Sequence, residues 1–362
     1  NPARTGQTIV AGFVLGLVLG LIVSLVLESM DTSAGSMEEV ESSLDVPVIG
    51  SVQHLAHEEA AALFSDMEGL ATSGDELERQ MRLVTHFAPA SAMAESYRGI
   101  RTNLLFSQLG EYRVIVITSA TIWEGKSTVS ANLATVVAQQ GARVLLIDAN
   151  MRDPMQHEMF GLEREPGLSE YLLGQRSWQD ATRHISDVML GNFGVDHALM
   201  TPGLDQLDIL TCGRHVANPS DLLAIPAMAE LLGQARQEYD MVIVDMPSLL
   251  HTTDANVVAG EVDGVLLVYH IGTVTRGALK RAKNSVDTVG GTVVGVVLNG
   301  VRGDVSSDFT KSKADRYYGH DEHAEGRASW LDWIKANALH VFRKNSDHAR
   351  NWLRWRGHKG QS

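Results

Sequence analysis

Short apolar runs alternate with segments of helical spacing through most of the chain after residue 90. Such runs, rich in Val, Ile and Leu, are typical of strands buried on both faces of a parallel sheet. The pattern predicts strands at 113–118, 143–148, 207–211, 241–245, 264–269 and 292–298. It predicts helices around 95–108, 127–140, 167–173, 219–237, 254–260 and 275–289. The predicted fold is therefore α/β, a mostly parallel sheet with helices on both faces.

One stretch near the start, residues 8–27, is apolar and carries no charge. About 20 residues suffice for a helix to cross the ~30 Å hydrocarbon core of a bilayer, so we expect a transmembrane helix here. A cleaved signal peptide is the alternative, but the apolar run is long for one and Arg4 is the only basic residue before it. Gly12, Gly16 and Gly20 form a ridge on which another helix could pack, although glycine is also common in membrane helices.

Composition narrows the function classes. The 362 residues carry a formal net charge of −14, which argues against a surface that binds nucleic acid. Cys212 is the only cysteine, so the chain has neither an intramolecular disulfide nor a cysteine-based metal site. The chemistry must therefore come from other motifs.

A phosphate-binding loop (P-loop) is the most informative motif. A β-branched run leads into Ala120-x-x-x-x-Gly125-Lys126-Ser127, and a helix-forming segment follows. Backbone N–H groups of such a loop point at a phosphate, the lysine reaches the β- and γ-phosphates, and the serine hydroxyl can ligate Mg²⁺. An ordinary turn is the alternative, which the flanking strand and helix disfavour. The predicted nucleotide-binding residues are Ala120, Thr121, Ile122, Trp123, Glu124, Gly125, Lys126, Ser127 and Thr128.

Two aspartates follow apolar strands, Asp148 after Val-Leu-Leu-Ile and Asp245 after Met-Val-Ile-Val. Ligands of parallel α/β sheets bind at the carboxyl ends of the strands, so both carboxylates should lie near the P-loop. One carboxylate there can hold Mg²⁺, and another can accept a proton or orient a water. A turn or helix cap would explain one such aspartate, but two beside a P-loop favour a functional site.

The P-loop and the strand ends Asp148-x-Asn150-x-Arg152 and Asp245-x-Pro247 resemble those of the bacterial tyrosine kinases of capsule and exopolysaccharide assembly. Further segments that resemble this family are 44–50, 95–104, 218–223 and 297–300, so the resemblance spans roughly residues 2–303. It implies the cytoplasmic part of a polysaccharide co-polymerase, preceded by a first membrane helix and a periplasmic domain.

The resemblance also implies roles at the site. ATP would be the phosphate donor, Asp148 the catalytic base, and the Ser127 hydroxyl, Asp148 and Asp245 the ligands of Mg²⁺. Lys126, Asp148 and Asp245 are therefore the predicted catalytic residues.

A helix of the family assembles rings, and Glu95, Arg98 and Arg101 match it. Their i, i+3, i+6 spacing places them along one helix face. The resemblance implies that the two arginines pair with acidic groups of a neighbouring subunit. A solvated charged face is the alternative.

Some positions depart from the family pattern. Ile122 and Trp123 stand where the family has Pro-Gly, and we expect the tryptophan to point outward or to touch a neighbour. Asn150 replaces an aspartate and removes a negative charge near the metal, and Ser248 replaces a proline. The family carries a tyrosine cluster near the C-terminus, whereas only Tyr317 and Tyr318 follow residue 303 here.

These two tyrosines are the predicted phospho-acceptors, with an ordinary exposed pair as the alternative. They lie in a tail, 304–362, whose stretch 329–356 is basic and rich in tryptophan. That stretch predicts either an interfacial membrane helix or a helix that packs on protein.

The predicted organisation is an extracytoplasmic stub at 1–7, the membrane helix at 8–27, an acidic linker at 28–90 with short helices at 58–70 and 75–85, the kinase domain at 91–303, and the tail. The need for ATP places 28–362 in the cytoplasm, beneath the plasma (inner) membrane. The single Arg4 weakly favours the opposite orientation.

The expected function is an ATP-dependent protein-tyrosine autokinase that regulates the chain length and export of capsular or exopolysaccharide. Its expected partners are further copies of itself in a ring, the membrane, and the polysaccharide polymerase and export machinery, with no nucleic acid. One alternative is a catalytically weakened nucleotide-binding scaffold of the same assembly. Another is a partitioning-type ATPase, which Thr121 disfavours because those proteins carry a lysine there.

Overall fold

A computed structural model of the chain describes residues 12–21, 36–54, 74–106, 112–185 and 203–301. The chain divides into two compact units, Asn1–Phe309 and Thr310–Ser362, and the second lies wholly outside the described residues. The predictions for the tail, including the phospho-acceptors Tyr317 and Tyr318 and the basic stretch 329–356, therefore also lie outside them.

A sheet of eight strands forms the centre of the described structure, in the order β1-β8-β7-β2-β6-β3-β5-β4. The pairs are parallel except for β4, which runs antiparallel to β5 at one edge. The strands are β1 Val48–Gln53, β2 Val114–Ser119, β3 Val144–Asp148, β4 Thr182–His184, β5 Leu207–Leu210, β6 Met241–Asp245, β7 Gly264–His270 and β8 Val293–Val301. All six predicted strands are present, so the mostly parallel α/β fold is confirmed.

Helices cover both faces of this sheet. Neighbouring residues of β2 face opposite ways, because side chains alternate along a strand. Val114 and Val116 pack in one apolar core, whereas Ile115 and Ile117 pack in a second core. The α-helices are Met37–Leu44, Gly74–Arg82, Val84–Phe87, Ala92–Phe106, Lys126–Ala138, Gln156–Phe160, Leu168–Leu172, Trp178–Ala181, Pro219–Leu223, Pro226–Glu238, Asp254–Ala259 and Arg276–Thr288, and Leu204–Gln206 is a 3₁₀ turn.

The helix predicted at 219–237 is two helices in the structure, Pro219–Leu223 and Pro226–Glu238. The break lies before Pro226, which occupies the first turn of the second helix. A residue that precedes proline disfavours helical dihedrals, and Ile225 is extended with φ −74° and ψ 151°. The proline therefore ends one helix and starts the next.

Strand β1 lies in the stretch that the sequence assigns to a linker, and here that interpretation is wrong. The strand pairs in parallel with β8, and Val48, Ile49 and Val52 are buried. Its short apolar pattern is interrupted by Gly50 and Ser51, so no clear strand periodicity is visible in the sequence. The sheet therefore begins before residue 91.

Part of the predicted membrane span is described. Residues 12–21 are helical, and the rest of the span 8–27 lies outside the described residues. Within the described part of the chain, no helix combines the length and the apolar character that crossing a membrane requires. The transmembrane helix stays a prediction.

Candidate active site

The P-loop connects the central strand β2 to the helix Lys126–Ala138. Gly125 is the N-cap of this helix and has a φ of 85°, a left-handed conformation that glycine adopts without steric cost. A Cβ atom at this position would lie 2.1 Å from Nδ2 of Asn299, at the end of β8. Glycine therefore suits the backbone conformation, and any side chain here would displace the amide of Asn299.

Glu124 is a buried residue of the P-loop that stabilises the loop through hydrogen bonds. Its carboxylate is buried and accepts hydrogen bonds from the backbone N–H of Thr121 at 2.5 Å and from that of His270 at 3.2 Å. The side chain of Asn299 donates to the main-chain oxygen of Glu124 at 2.9 Å. Burial raises the pKa of Glu124, although these donors and Lys126 oppose the rise. The loop is thus fixed by the ends of β7 and β8, a role that the sequence did not predict for Glu124 or Asn299.

Trp123 occupies the tip of the loop with a φ of 66°, and its side chain is 86% exposed. A positive φ is uncommon for a bulky residue. Ile122 beside it is exposed as well, and both residues line the cleft described below. The indole ring points outward, one of the two orientations that we expected.

Asp148 and Asp245 end the neighbouring strands β3 and β6 and stand opposite each other in register. Both side chains are fully buried. Asp148 accepts hydrogen bonds from the backbone N–H groups of Asn150 at 3.2 Å and Gln156 at 3.0 Å. Asp245 accepts from the Gln156 side chain at 2.7 Å and from the hydroxyl of Ser130 at 3.4 Å. The structure therefore brings the two predicted aspartates together beside the P-loop helix.

Each of the two carboxylates makes ionisation of the other less favourable. Burial raises the pKa of Asp148 well above its usual range, and the negative charge of Asp245 raises it further. Burial also raises the pKa of Asp245, but the positive charge of Lys126 and hydrogen bonds from Gln156 and Ser130 oppose the rise. The pair therefore favours a proton or a cation between or beside its oxygens.

The oxygen atoms of Ser127, Asp148 and Asp245 suit magnesium in number and kind. Mg²⁺ prefers hard oxygen ligands and is usually bound by one or two carboxylates together with waters and substrate phosphates. Among the described residues, no group of three or more His, Cys, Asp or Glu side chains forms a candidate metal cage. The three residues therefore fit a magnesium ion that arrives with a nucleotide.

A cleft of about 750 Å³ opens over the P-loop and the two strand ends. The predicted residues Ile122, Trp123, Gly125, Lys126, Ser127 and Thr128 line it. Arg152 and Ser248, which the comparison with the family pattern named, line it as well. It also gathers residues that the sequence did not single out: Arg82, Asp153, Met155, Glu158, Met159, His251 and Thr252. A cleft of this size can hold a nucleotide and part of an acceptor.

Two residues that follow β3 are held by local contacts. Asn150 donates from Nδ2 to the main-chain oxygen of Asp153 at 2.6 Å, so its side chain closes a turn. Arg152 makes two hydrogen bonds to the buried carboxylate of Asp254, at 2.8 and 2.9 Å. Ser220, in a segment that resembles the kinase family, also donates to Asp254. Arg152 is thereby fixed at the wall of the cleft.

The predicted oligomer contacts lie on the helix Ala92–Phe106 and do not line the cleft. Arg98 pairs with Glu95 at 2.6 Å and donates to the main-chain oxygen of Pro89. Arg101 donates to the main-chain oxygen of Val136 at 2.8 Å. Each charged group therefore has a contact within its own chain, and the contact with a neighbouring subunit stays a prediction.

Comparison with known proteins places this site in context. The family model of the CobQ/CobB/MinD/ParA nucleotide binding domain matches residues 115–324. The chain is 35% identical over 247 residues to the tyrosine-protein kinase YwqD of Bacillus subtilis (strain 168), an alignment that covers 68% of this chain and 94% of the relative. It is 32% identical over 240 residues to the putative tyrosine-protein kinase CapB of Staphylococcus aureus, covering 66% and 96%. The kinase domain of the Escherichia coli tyrosine kinase ETK superposes with a TM-score of 0.59 at 27% identity, covering 79% of this chain and 98% of that domain.

Proposed function

Because the chain belongs to the family of bacterial tyrosine-protein kinases built on the CobQ/CobB/MinD/ParA nucleotide binding domain, we propose that it transfers the γ-phosphate of ATP to tyrosine. The observation that carries this proposal is the pair Asp148 and Asp245 at adjacent strand ends, buried beside Lys126 and Ser127. At this place one carboxylate can hold Mg²⁺ for the nucleotide, and the other can accept the proton of an attacking hydroxyl.

The P-loop and its helix bind the phosphates in this proposal. Backbone N–H groups of the loop and of the first turn of the helix Lys126–Ala138 point at an anion, and the helix dipole favours negative charge there. Lys126 contributes a positive charge beside the β- and γ-phosphates. Ser127, Asp148 and Asp245 would hold Mg²⁺, which neutralises phosphate charge when bound.

Asp148 acts as the base. Its carboxylate ends β3 opposite Asp245 and beside the P-loop helix, so it can accept a proton where the phosphates bind. The tyrosine oxygen forms a bond to the γ-phosphorus while the bond from that phosphorus to the β,γ-bridging oxygen breaks, and the phenolic proton goes to Asp148. The products are phosphotyrosine and ADP.

The acceptors in this proposal are Tyr317 and Tyr318 of another copy of the chain, in a ring that Glu95, Arg98 and Arg101 help to assemble. The ring would be anchored in the plasma (inner) membrane through residues 8–27, with 28–362 in the cytoplasm. It would regulate the chain length and export of capsular or exopolysaccharide together with the polymerase and export machinery. The resemblance of the motifs and the uncharged stretch 8–27 support this part.

The test is to incubate the full 362-residue chain with Mg²⁺-ATP and measure intact mass and phosphotyrosine. We expect added phosphate that maps to Tyr317 and Tyr318 and disappears in Lys126→Met. Lys280→Met, at an exposed position away from the cleft, is the matched control and should keep the activity. Unphosphorylated protein that still binds Mg²⁺-ATP would refute the kinase.

A nucleotide-binding scaffold is the second candidate function. It is favoured by Asn150, whose amide closes a turn with Asp153 where the family has an aspartate, and by Trp123 at the tip of the loop. A scaffold would form oligomers in an ATP-dependent way without phosphate transfer. Sedimentation of the chain with and without Mg²⁺-ATP, run beside the phosphotyrosine measurement, separates the two candidates.

A further inference from the structure

Gln156 contacts all three residues that fit magnesium. Its backbone N–H donates to Oδ2 of Asp148 at 3.0 Å. Its side-chain Nε2 donates to Oδ2 of Asp245 at 2.7 Å and to the main-chain oxygen of Ser127 at 3.1 Å. The residue begins the helix Gln156–Phe160 and is fully buried. It therefore links the ends of β3 and β6 to the start of the P-loop helix.

We propose that Gln156 is a positioning residue that fixes these three ligands for a magnesium–nucleotide complex. The inference deepens the proposed function and rests on it only for the identity of the nucleotide. Both hydrogens of the amide nitrogen are used, one on Asp245 and one on Ser127, and these bonds restrict rotation of the Asp245 side chain. Groups that orient metal ligands in this way tune metal affinity without touching the metal.

The other polar atom of the side chain supports the same role. Oε1 of Gln156 is buried and has no hydrogen-bond partner among the residues that the structure describes. A buried acceptor without a donor costs free energy, so native proteins rarely keep one without a reason. Mg²⁺ retains several waters when it binds, and the O–H of one such water would satisfy this oxygen. The amide thus orders the ligands through its nitrogen and leaves its oxygen as an acceptor without a partner.

The amide is also the right chemical group for this place. It donates to a carboxylate without adding a charge beside Asp148 and Asp245, which already disfavour each other's ionisation. A lysine or arginine here would compete with the cation, and a carboxylate would add repulsion. A neutral donor therefore orders the ligands and leaves their negative charge for the metal.

The experiment measures the affinity of the full chain for a fluorescent ADP analogue while Mg²⁺ is titrated, with EDTA as the metal-free reference. Gln156→Met keeps the size of the side chain and removes both polar atoms. Gln139→Met is the matched control, because the amide of Gln139 donates to the main-chain oxygen of Thr85 at 3.1 Å rather than to one of the three magnesium ligands.

We expect Gln156→Met to raise the Mg²⁺ concentration for half-saturation by about tenfold, the low end of the effect of outer ligand-orienting groups. The affinity of this variant for the ADP analogue in EDTA should differ from that of the wild type by less than about twofold. Excess Mg²⁺ should restore full nucleotide binding. Gln139→Met should match the wild type. If Gln156→Met does not fold, Gln156→Asn takes its place. The asparagine side chain is one methylene too short for its amide to keep both contacts, so this variant should also raise the Mg²⁺ concentration for half-saturation.

An unchanged magnesium requirement in a folded Gln156 variant would overturn the proposal and leave the kinase function standing. Failure of the kinase function can be told apart from failure of this proposal. A wild-type chain that binds nucleotide with the expected magnesium dependence but forms no phosphotyrosine would refute the kinase and leave the role of Gln156 intact.

Discussion

Asp148 and Asp245 stand directly opposite each other at the carboxyl ends of the neighbouring strands β3 and β6, and water reaches neither side chain. Two like charges in this position destabilise the native state, and the donors around them only partly offset that cost. Function and stability are therefore opposed at this pair, and that opposition can be measured.

Asp148→Asn is expected to lower the rate of phosphotransfer by about 10²–10⁴-fold, because the base is lost. The same substitution is not expected to lower the melting temperature at pH 7. The pKa of Asp148 is raised in the folded state, so its ionised form costs stability that grows as pH rises above the ordinary carboxyl pKa. The melting temperature of the variant minus that of the wild type should therefore be larger at pH 7 than at pH 4. Thermal melts without nucleotide test this.

Asp221→Asn is the control for that comparison, since Asp221 is exposed and lies outside the cleft. Its melting temperature should follow that of the wild type at both pH values. A variant at Asp148 that melts several degrees below the wild type at pH 7 would contradict the argument.

Gly125→Ala and Gly141→Ala form a matched pair, because the two glycines have φ angles of 85° and 89°. A side chain at Gly141 would meet nothing within 4 Å, so only backbone strain of about 1–2 kcal/mol is expected there. At Gly125 the new methyl would also displace the amide of Asn299, whose hydrogen bond to the main-chain oxygen of Glu124 is then lost, which adds about 0.5–1.5 kcal/mol. Urea unfolding of both variants separates strain from collision, and nucleotide binding should fall only in Gly125→Ala. Equal losses of stability would show that the approach of Asn299 is unimportant.

Cys212 should be inert in the native protein. Burial raises the pKa of its thiol to about 12, and the carboxylate of Asp148 acts in the same direction. Only the thiolate reacts with disulfide reagents, so labelling at pH 8 should be slow in buffer and fast in denaturant. Since Cys212 is the only cysteine, its labelling rate reports opening of the fold directly. Rapid labelling of the folded chain would mean that this side of the sheet opens readily.

Asp240 is expected to stabilise the fold slightly at neutral pH and not in acid. Burial alone would raise the pKa of Asp240, but the backbone N–H of Arg143, at 2.9 Å, and its guanidinium outweigh burial and lower the pKa. A lowered pKa gives stability that is present above the ordinary carboxyl pKa and is lost as pH falls through the folded-state value. Asp240→Asn should cost less than about 1 kcal/mol at pH 7, because the pair is half-exposed, and less still at pH 3.5. Urea midpoints at the two pH values test the sign, and a loss that grows in acid would contradict it.

The sequence predicted the parts of the fold and site that depend on local pattern. The apolar run that contains Ile115 and Ile117 identified β2, and the spacing from Ala120 to Ser127 identified the loop after it. The aspartates were found because each directly follows a buried strand, and parallel strands end at the same edge of a sheet. The fold class and nucleotide site need little more than these rules.

Other features depend on contacts between residues that are distant in the chain, and local pattern does not report them. Asn299 reaches Glu124 across 175 positions. Gln156 follows Asp148 by 8 positions, but its side chain bonds to Asp245, 89 positions away. β4 was missed because three residues carry no periodicity. Such residues could be found only once the strand order was known.

The place of β1 decides where the chain can be cut. This strand covers the outer edge of β8, whose residues Val296, Val297 and Leu298 are fully buried. A recombinant fragment that starts at residue 91 would leave the apolar β8 as an uncovered edge, and such an edge recruits strands from other molecules. Expression of the catalytic region should therefore begin before Met37, so that the helix Met37–Leu44 and β1 are both retained. Fragments trimmed to the P-loop pattern would be expected to aggregate, for a reason unrelated to their chemistry.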